Sequence, residues 1–124
     1  MARFLFVALG GALGAVIRYA IGLLPNHTEF PYLTLLINLT GAVGIGFVAG
    51  LSGNRELSGN WKLFWKTGVC GGFTTFSAFS LESVELFRQG KTGLGVIYIA
   101  TSLFFCLLGV LAGQYLARRF SSAG

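Results

Sequence analysis

The residues with the most chemistry to offer stand together in Gly68-Val69-Cys70-Gly71-Gly72-Phe73-Thr74-Thr75-Phe76-Ser77-Ala78-Phe79-Ser80, where three glycines and four hydroxyl residues crowd an otherwise apolar run. They suit ion binding rather than bond breaking. Glycine tolerates dihedrals that other residues avoid and so favours a break in a helix, and the hydroxyl of Thr74 or Thr75 can cap the helix that restarts. A helix broken inside a membrane turns backbone carbonyls and the positive end of a half-helix toward the interior, an arrangement that holds ions there. Beyond the break, Phe76 and Phe79 fall three apart on one helix face, and Glu82 extends the same stripe. Close helix packing is the competing explanation for the glycines, because small residues let two backbones approach.

Other polar residues are few and oddly placed. Asn38 lies deep in an apolar run, with Thr34 four residues before it and Gly41 three after. An asparagine there must hydrogen-bond, either as glue between helices or as the lining of a watery cavity. Arg18 follows Gly10 and Gly14 at steps of four; near the end of its run it either snorkels to the headgroups or finds a partner. Tyr98, Thr101, Ser102 and Phe105 share one helix face, where the hydroxyls either form a polar track or bond their own backbone. Glu82 is deep enough to need a polar neighbour, whereas Glu85 is interfacial. His27 stands alone in a loop, and Cys70 and Cys106 have no metal-ligand spacing, so they read as free buried thiols. No phosphate loop, nucleophile–His–acid set or metal cluster can be assembled, which argues against an enzyme.

The elements that must position these residues are membrane helices. Of 124 residues, 54% are hydrophobic and only 10% charged, and the mean hydropathy is +0.74, too apolar for an ordinary soluble domain. Four apolar segments, 4–24, 33–51, 63–87 and 94–116, each approach the roughly 20 residues that span a bilayer. One four-helix transmembrane domain, 1–124, uses nearly the whole chain, with its third helix broken near the middle. The first segment lacks a cleavage signature and is retained as a helix rather than a signal peptide. Pro25, Asn26, Thr28 and Pro31 mark a short loop, and Tyr19, Tyr32, Trp61 and Trp65 suit the interfaces. The net charge of +5 is scattered over termini and loops, which favours lipid headgroups over nucleic acid. Arg3, Arg55, Lys62, Lys66, Arg118 and Arg119 fall on one side of such a bundle, against Arg18, Arg88 and Lys91 on the other, a bias that puts both termini inside.

Three of these stretches together carry a resemblance. Residues Gly10-Gly11-Ala12-Leu13-Gly14-Ala15-Val16-Ile17-Arg18-Tyr19, then Thr34-Leu35-Leu36-Ile37-Asn38-Leu39-Thr40-Gly41, then Gly71-Gly72-Phe73-Thr74-Thr75-Phe76-Ser77-Ala78-Phe79-Ser80 resemble, in this order and over essentially the whole length, the Fluc fluoride channels, also called the CrcB family of fluoride exporters. The resemblance implies a passive channel in the cell's inner membrane that exports fluoride and relieves its toxicity. It also implies an antiparallel, dual-topology homodimer with two pores and a structural sodium ion on the two-fold axis, held by backbone carbonyls that here match Gly71 and Thr74. Phe76, Phe79 and Asn38 match the residues that face the anion, and Tyr98, Ser102 and Glu82 match the polar path beyond them. Arg18 matches a structural or pore-mouth position.

Two other classes compete. A proton-coupled transporter like the small multidrug exporters needs a carboxylate inside the membrane, and here Glu82 is the one candidate because the first helix has no Asp or Glu. A non-transporting assembly subunit would need only the glycine-rich packing.

Overall fold

The computed structural model describes residues 1–53 and 59–123, and every regular element among them is a helix. The first, α1 (Ala2–Gly22), follows from an apolar run free of proline; it closes with the Leu23 amide donating to the Ala20 carbonyl. The turn after it is held by Asn26, whose Oδ1 accepts from the Thr28 amide at 3.0 Å and whose Nδ2 donates to the Phe30 carbonyl at 3.2 Å. Such an Asx turn replaces the backbone bonds a helix would supply. Pro31 then precedes α2 (Tyr32–Gly53).

The third segment is built in pieces. A short α3 (Gly59–Lys62) leads into a π-wound stretch, Leu63–Cys70, and a final turn, α4 (Gly71–Phe73). Thr74 and Thr75 are extended, with ψ of 153° and 111°. The chain re-enters a helix as α5 (Phe76–Arg88), which ends in a glycine-capped turn: Gly90 takes φ +79°, its amide donates to the Phe87 carbonyl at 3.1 Å, and the Lys91 amide donates to Leu86 at 2.8 Å. A left-handed residue is needed at that position, and glycine supplies it without steric cost. The long α6 (Thr92–Ala123) completes the chain.

Three helices are long and apolar enough to cross a membrane: Ala2–Gly22, Tyr32–Leu51 and Thr92–Phe120. The broken third segment does not meet that length in one piece. The last helix outruns the expected 94–116 because its tail still has a partner: Ala117 is fully buried, a Cβ on Gly50 would touch it at 2.6 Å, and Phe120 meets Phe47 edge-on at 6.1 Å.

Packing sorts the helices into two pairs. α1 lies along the π stretch and α4, whereas α2 lies along α6. Glycines make both contacts close. A Cβ on Gly10 would lie 2.9 Å from the Gly68 Cα, and one on Gly72 would lie 2.5 Å from the Gly11 carbonyl oxygen. In the other pair, added carbons on Gly46 and Gly113 would run into the Val110 and Val43 carbonyls. Backbone-to-backbone contact of this kind replaces the hydrophobic drive that lipid cannot provide. α5 docks on α6 through Phe79, Leu86 and Tyr98, with Phe30, Leu35, Leu94 and Ile99 around them.

Candidate functional site at a broken helix

Two side chains from other helices hold the break open. Asn38 of α2 pairs with the Thr75 backbone on both sides: its Oδ1 accepts from the Thr75 amide at 2.8 Å, and its Nδ2 donates to the Thr75 carbonyl at 3.2 Å. Arg18 of α1 donates through Nε to the Gly72 carbonyl at 3.1 Å, across 54 residues of sequence. Of the two uses foreseen for Arg18, the geometry shows a partner at the break. Thr75, not Thr74, is the cap of α5, its Oγ1 accepting from the Ala78 amide at 3.1 Å. The Thr74 hydroxyl turns back and donates to the Cys70 carbonyl at 2.9 Å.

These bonds leave a pattern in the carbonyls. In an uninterrupted helix the Gly71 carbonyl accepts from the Thr75 amide and the Thr74 carbonyl from the Ala78 amide. Here the first amide goes to Asn38 and the second to the Thr75 hydroxyl. Gly71 and Thr74 are therefore the two carbonyls whose helical donors are drawn to side chains. Gly71 lies on an exposed face, where a Cβ would meet nothing nearer than the Lys66 carbonyl oxygen at 3.9 Å. Gly68 and Gly72, by contrast, are pressed against α1. Close packing thus accounts for Gly68 and Gly72, whereas Gly71 is helical, with φ −64° and ψ −37°, and open on its outer side.

Beside the break runs a groove of about 320 Å³, lined by Asn38, Thr74, Thr75, Phe76, Phe79 and Ser102, with Cys70, Cys106 and apolar residues of α2 and α6 completing it. No acidic residue lines it. Ser102 is 6% exposed and its hydroxyl has no hydrogen-bond partner, a condition that normally costs about 1–3 kcal/mol. Phe76 and Phe79 stand side by side, ring centroids 5.6 Å apart; Phe79 tilts against Tyr98 at 5.2 Å, and Tyr98 meets Phe30 edge-on at 5.5 Å. Phe79 is buried while Phe76 remains 75% exposed on the single chain.

Glu82 and Tyr98 are not part of the groove lining and form a second cluster beyond Phe79. The Glu82 carboxylate accepts from the Tyr98 hydroxyl and from the Thr34 hydroxyl, each at 3.0 Å. Thr75 enters as one of the two cap candidates, and Thr34, which shares a helix face with Asn38 and Gly41, enters as a donor to Glu82. Thr101 bonds its own helix at the Ile97 carbonyl, 2.7 Å away, and stays out of the track. Among the described residues no group of His, Cys, Asp or Glu is arranged to hold a metal.

Residues 5–114 match the family described as CrcB-like protein, Camphor Resistance (CrcB). The chain is 40% identical over 123 residues to the fluoride-specific ion channel FluC 2 of Nitrobacter hamburgensis, covering 96% of this chain and 99% of that protein. It is 42% identical over 117 residues to the fluoride-specific ion channel FluC of Rhodospirillum rubrum, covering 90% and 91%. Against the FluC of Ruminiclostridium cellulolyticum the identity is 43% over 130 residues, covering 98% and 97%.

Proposed function

This chain belongs to the CrcB-like family, and from that premise we propose how it works as a passive fluoride channel of a multi-pass membrane protein, placed in bacteria in the inner membrane. The observation that carries the reading is the acid-free groove at the helix break, in a chain matched along its length by fluoride-specific channels. Fluoride is small and strongly hydrated, so a pore must offer donors in place of water while holding no charge that traps it. Three kinds of group in the groove meet that need. Aromatic ring edges are electropositive, so Phe76 and Phe79 can face an anion edgewise. The Asn38 amide has two N–H bonds and gives one to Thr75, leaving a second donor. The Ser102 hydroxyl has its donor unassigned. Tyr98, Glu82 and Thr34 continue the polar path past Phe79.

The membrane potential, negative inside, drives an anion outward, so export needs no ATP. Nothing favours a proton-coupled exporter; its one candidate carboxylate, Glu82, is already engaged by two hydroxyls.

The working unit is an antiparallel, dual-topology homodimer in which the broken segment crosses the membrane as the third of four helices in each 1–124 domain. Support for a second copy comes from what one chain leaves open: Phe76 projects from it, Gly71 faces outward, and only 11% of the α1 span is buried. A structural sodium ion fits the Gly71 and Thr74 carbonyls, because neutral oxygens lacking their helical donors suit a hard monovalent cation. Bound there, it would supply fixed positive charge between two pores and tie the copies together.

The deciding experiment is fluoride efflux from liposomes holding the purified protein, followed with a fluoride electrode. Rapid release of trapped fluoride, with chloride retained, is the expected result. Retention of fluoride would overturn the channel reading and leave a packing subunit.

A further inference from the structure

At the other end of α1 from Arg18, the first turn of that helix meets α3 and the start of the π stretch around a second cavity of about 340 Å³. Arg3, Lys62 and Lys66 line it, with Asn60 and Thr67 adding neutral donors, and no described carboxylate does. Among the described residues the one ion pair lies elsewhere, between Lys91 and Glu29 at 2.8 Å. Three cations thus line one hollow without a counterion among the described residues.

The cavity's depth in the membrane is marked by its neighbours. Trp61 meets Phe6 edge-on at 5.4 Å and Phe64 at 5.5 Å, and Phe64 meets Trp65 at 5.1 Å. Both tryptophans are surface-exposed, at 49% and 42%. Exposed tryptophans on a spanning bundle sit at the headgroup level. The hollow therefore opens where lipid phosphates lie, and Lys66, a turn deeper than Lys62, can extend its ammonium up to the same level.

We propose that this cavity binds the phosphodiester headgroup of an anionic phospholipid. Lysine and arginine near a bilayer surface draw anionic lipid individually and weakly, but three on one cavity, with two hydrogen-bonding side chains to orient the phosphate, select it over a zwitterionic headgroup whose own ammonium is repelled. The site lies outside the groove at the helix break and does not depend on fluoride being the conducted ion.

The test is native mass spectrometry of the purified protein with phosphatidylglycerol or phosphatidylcholine added, and with millimolar inorganic phosphate as a competing probe. Phosphatidylglycerol is retained in preference to phosphatidylcholine, and each of Arg3→Gln, Lys62→Gln and Lys66→Gln lowers that retention roughly fivefold. The triple variant loses the preference, while Arg88→Gln, at the far end, leaves it intact. If the triple variant does not fold, the three single variants carry the same comparison. Equal retention of both lipids by the wild type, or an unchanged preference in the variants, overturns the proposal. Full displacement of lipid by inorganic phosphate reassigns the cavity to a free anion and overturns it too. In vesicles of phosphatidylcholine alone the variants conduct fluoride like the wild type; a loss there would give these charges to drawing fluoride in, against the proposal.

Discussion

Asn38 supplies both partners that the Thr75 backbone needs once the helix has broken, so its removal exposes an N–H and a C=O together. Asn38→Ala is expected to lower the stability of the folded chain by on the order of 2 kcal/mol, from two groups left unsatisfied, and to reduce fluoride flux; thermal unfolding in detergent and liposome efflux read the two effects. Unchanged melting would show that water takes over both bonds. The phenylalanines separate in the same pair of measurements. Phe76→Ile and Phe79→Ile should each cut flux by removing an electropositive ring edge, but only Phe79, packed between Phe76 and Tyr98, should also lose about 1 kcal/mol of packing. Normal flux in both variants would eliminate the aromatic path. At this scale the sequence showed which residues share a helix face, because that follows from spacing alone. It could not show which faces meet: nothing local to Arg18 or Gly72 announces their bond across 54 residues, and nothing near Glu82 names Thr34 as its donor.

In the broken segment, packing claims Gly68 and Gly72 and leaves Gly71 open. Gly72 touches α1, so Gly72→Ala places a carbon 2.5 Å from the Gly11 carbonyl oxygen and is expected to destabilise the fold by about 1–3 kcal/mol, the usual range for forced overpacking. Gly71→Ala has open space within the chain and should melt as the wild type does, any effect falling instead on association of two copies. Equal destabilisation by both substitutions, followed by circular dichroism, would contradict this division. That a break exists was legible from glycines and hydroxyls set in an apolar run. The restart was legible too, since Thr75 is one of the two cap candidates; which residues leave the helix was not, because the glycines stay helical while the extended residues are Thr74 and Thr75, whose β-branched side chains favour that conformation. The π winding of Leu63–Cys70 has no signature either, since the same apolar residues serve an α-helix equally well. The last helix runs to Ala123, past the apolar segment that marks it in sequence, because apolarity and helicity end at different residues.

Across the whole molecule, the broken helix gives one chain one set of carbonyls freed of their helical donors, with Gly71 on an exposed face. Two copies facing each other would supply four oxygens to a cation and cover Phe76 in the same movement. Single cysteines placed in the loops report the orientation: linking of loops that lie on opposite sides of a single chain is expected, and exclusive linking of same-side loops would establish a parallel pair. The cation is tested by purifying the protein with sodium replaced throughout by a large organic cation. A ligand that binds the assembled state but not separate chains stabilises assembly by RT ln(1 + [L]/Kd), about 2.7 kcal/mol at a hundredfold excess over Kd, so dimer lifetime should rise with sodium concentration and fall in its absence. Thr74→Ser keeps the backbone carbonyl and should preserve this dependence; a bulky residue at Gly71 should abolish it by separating the two breaks. Dimer lifetime and fluoride flux that both ignore sodium would reduce Gly71 and Thr74 to packing residues, and the open face of the break would then need only a second copy of the chain to cover it.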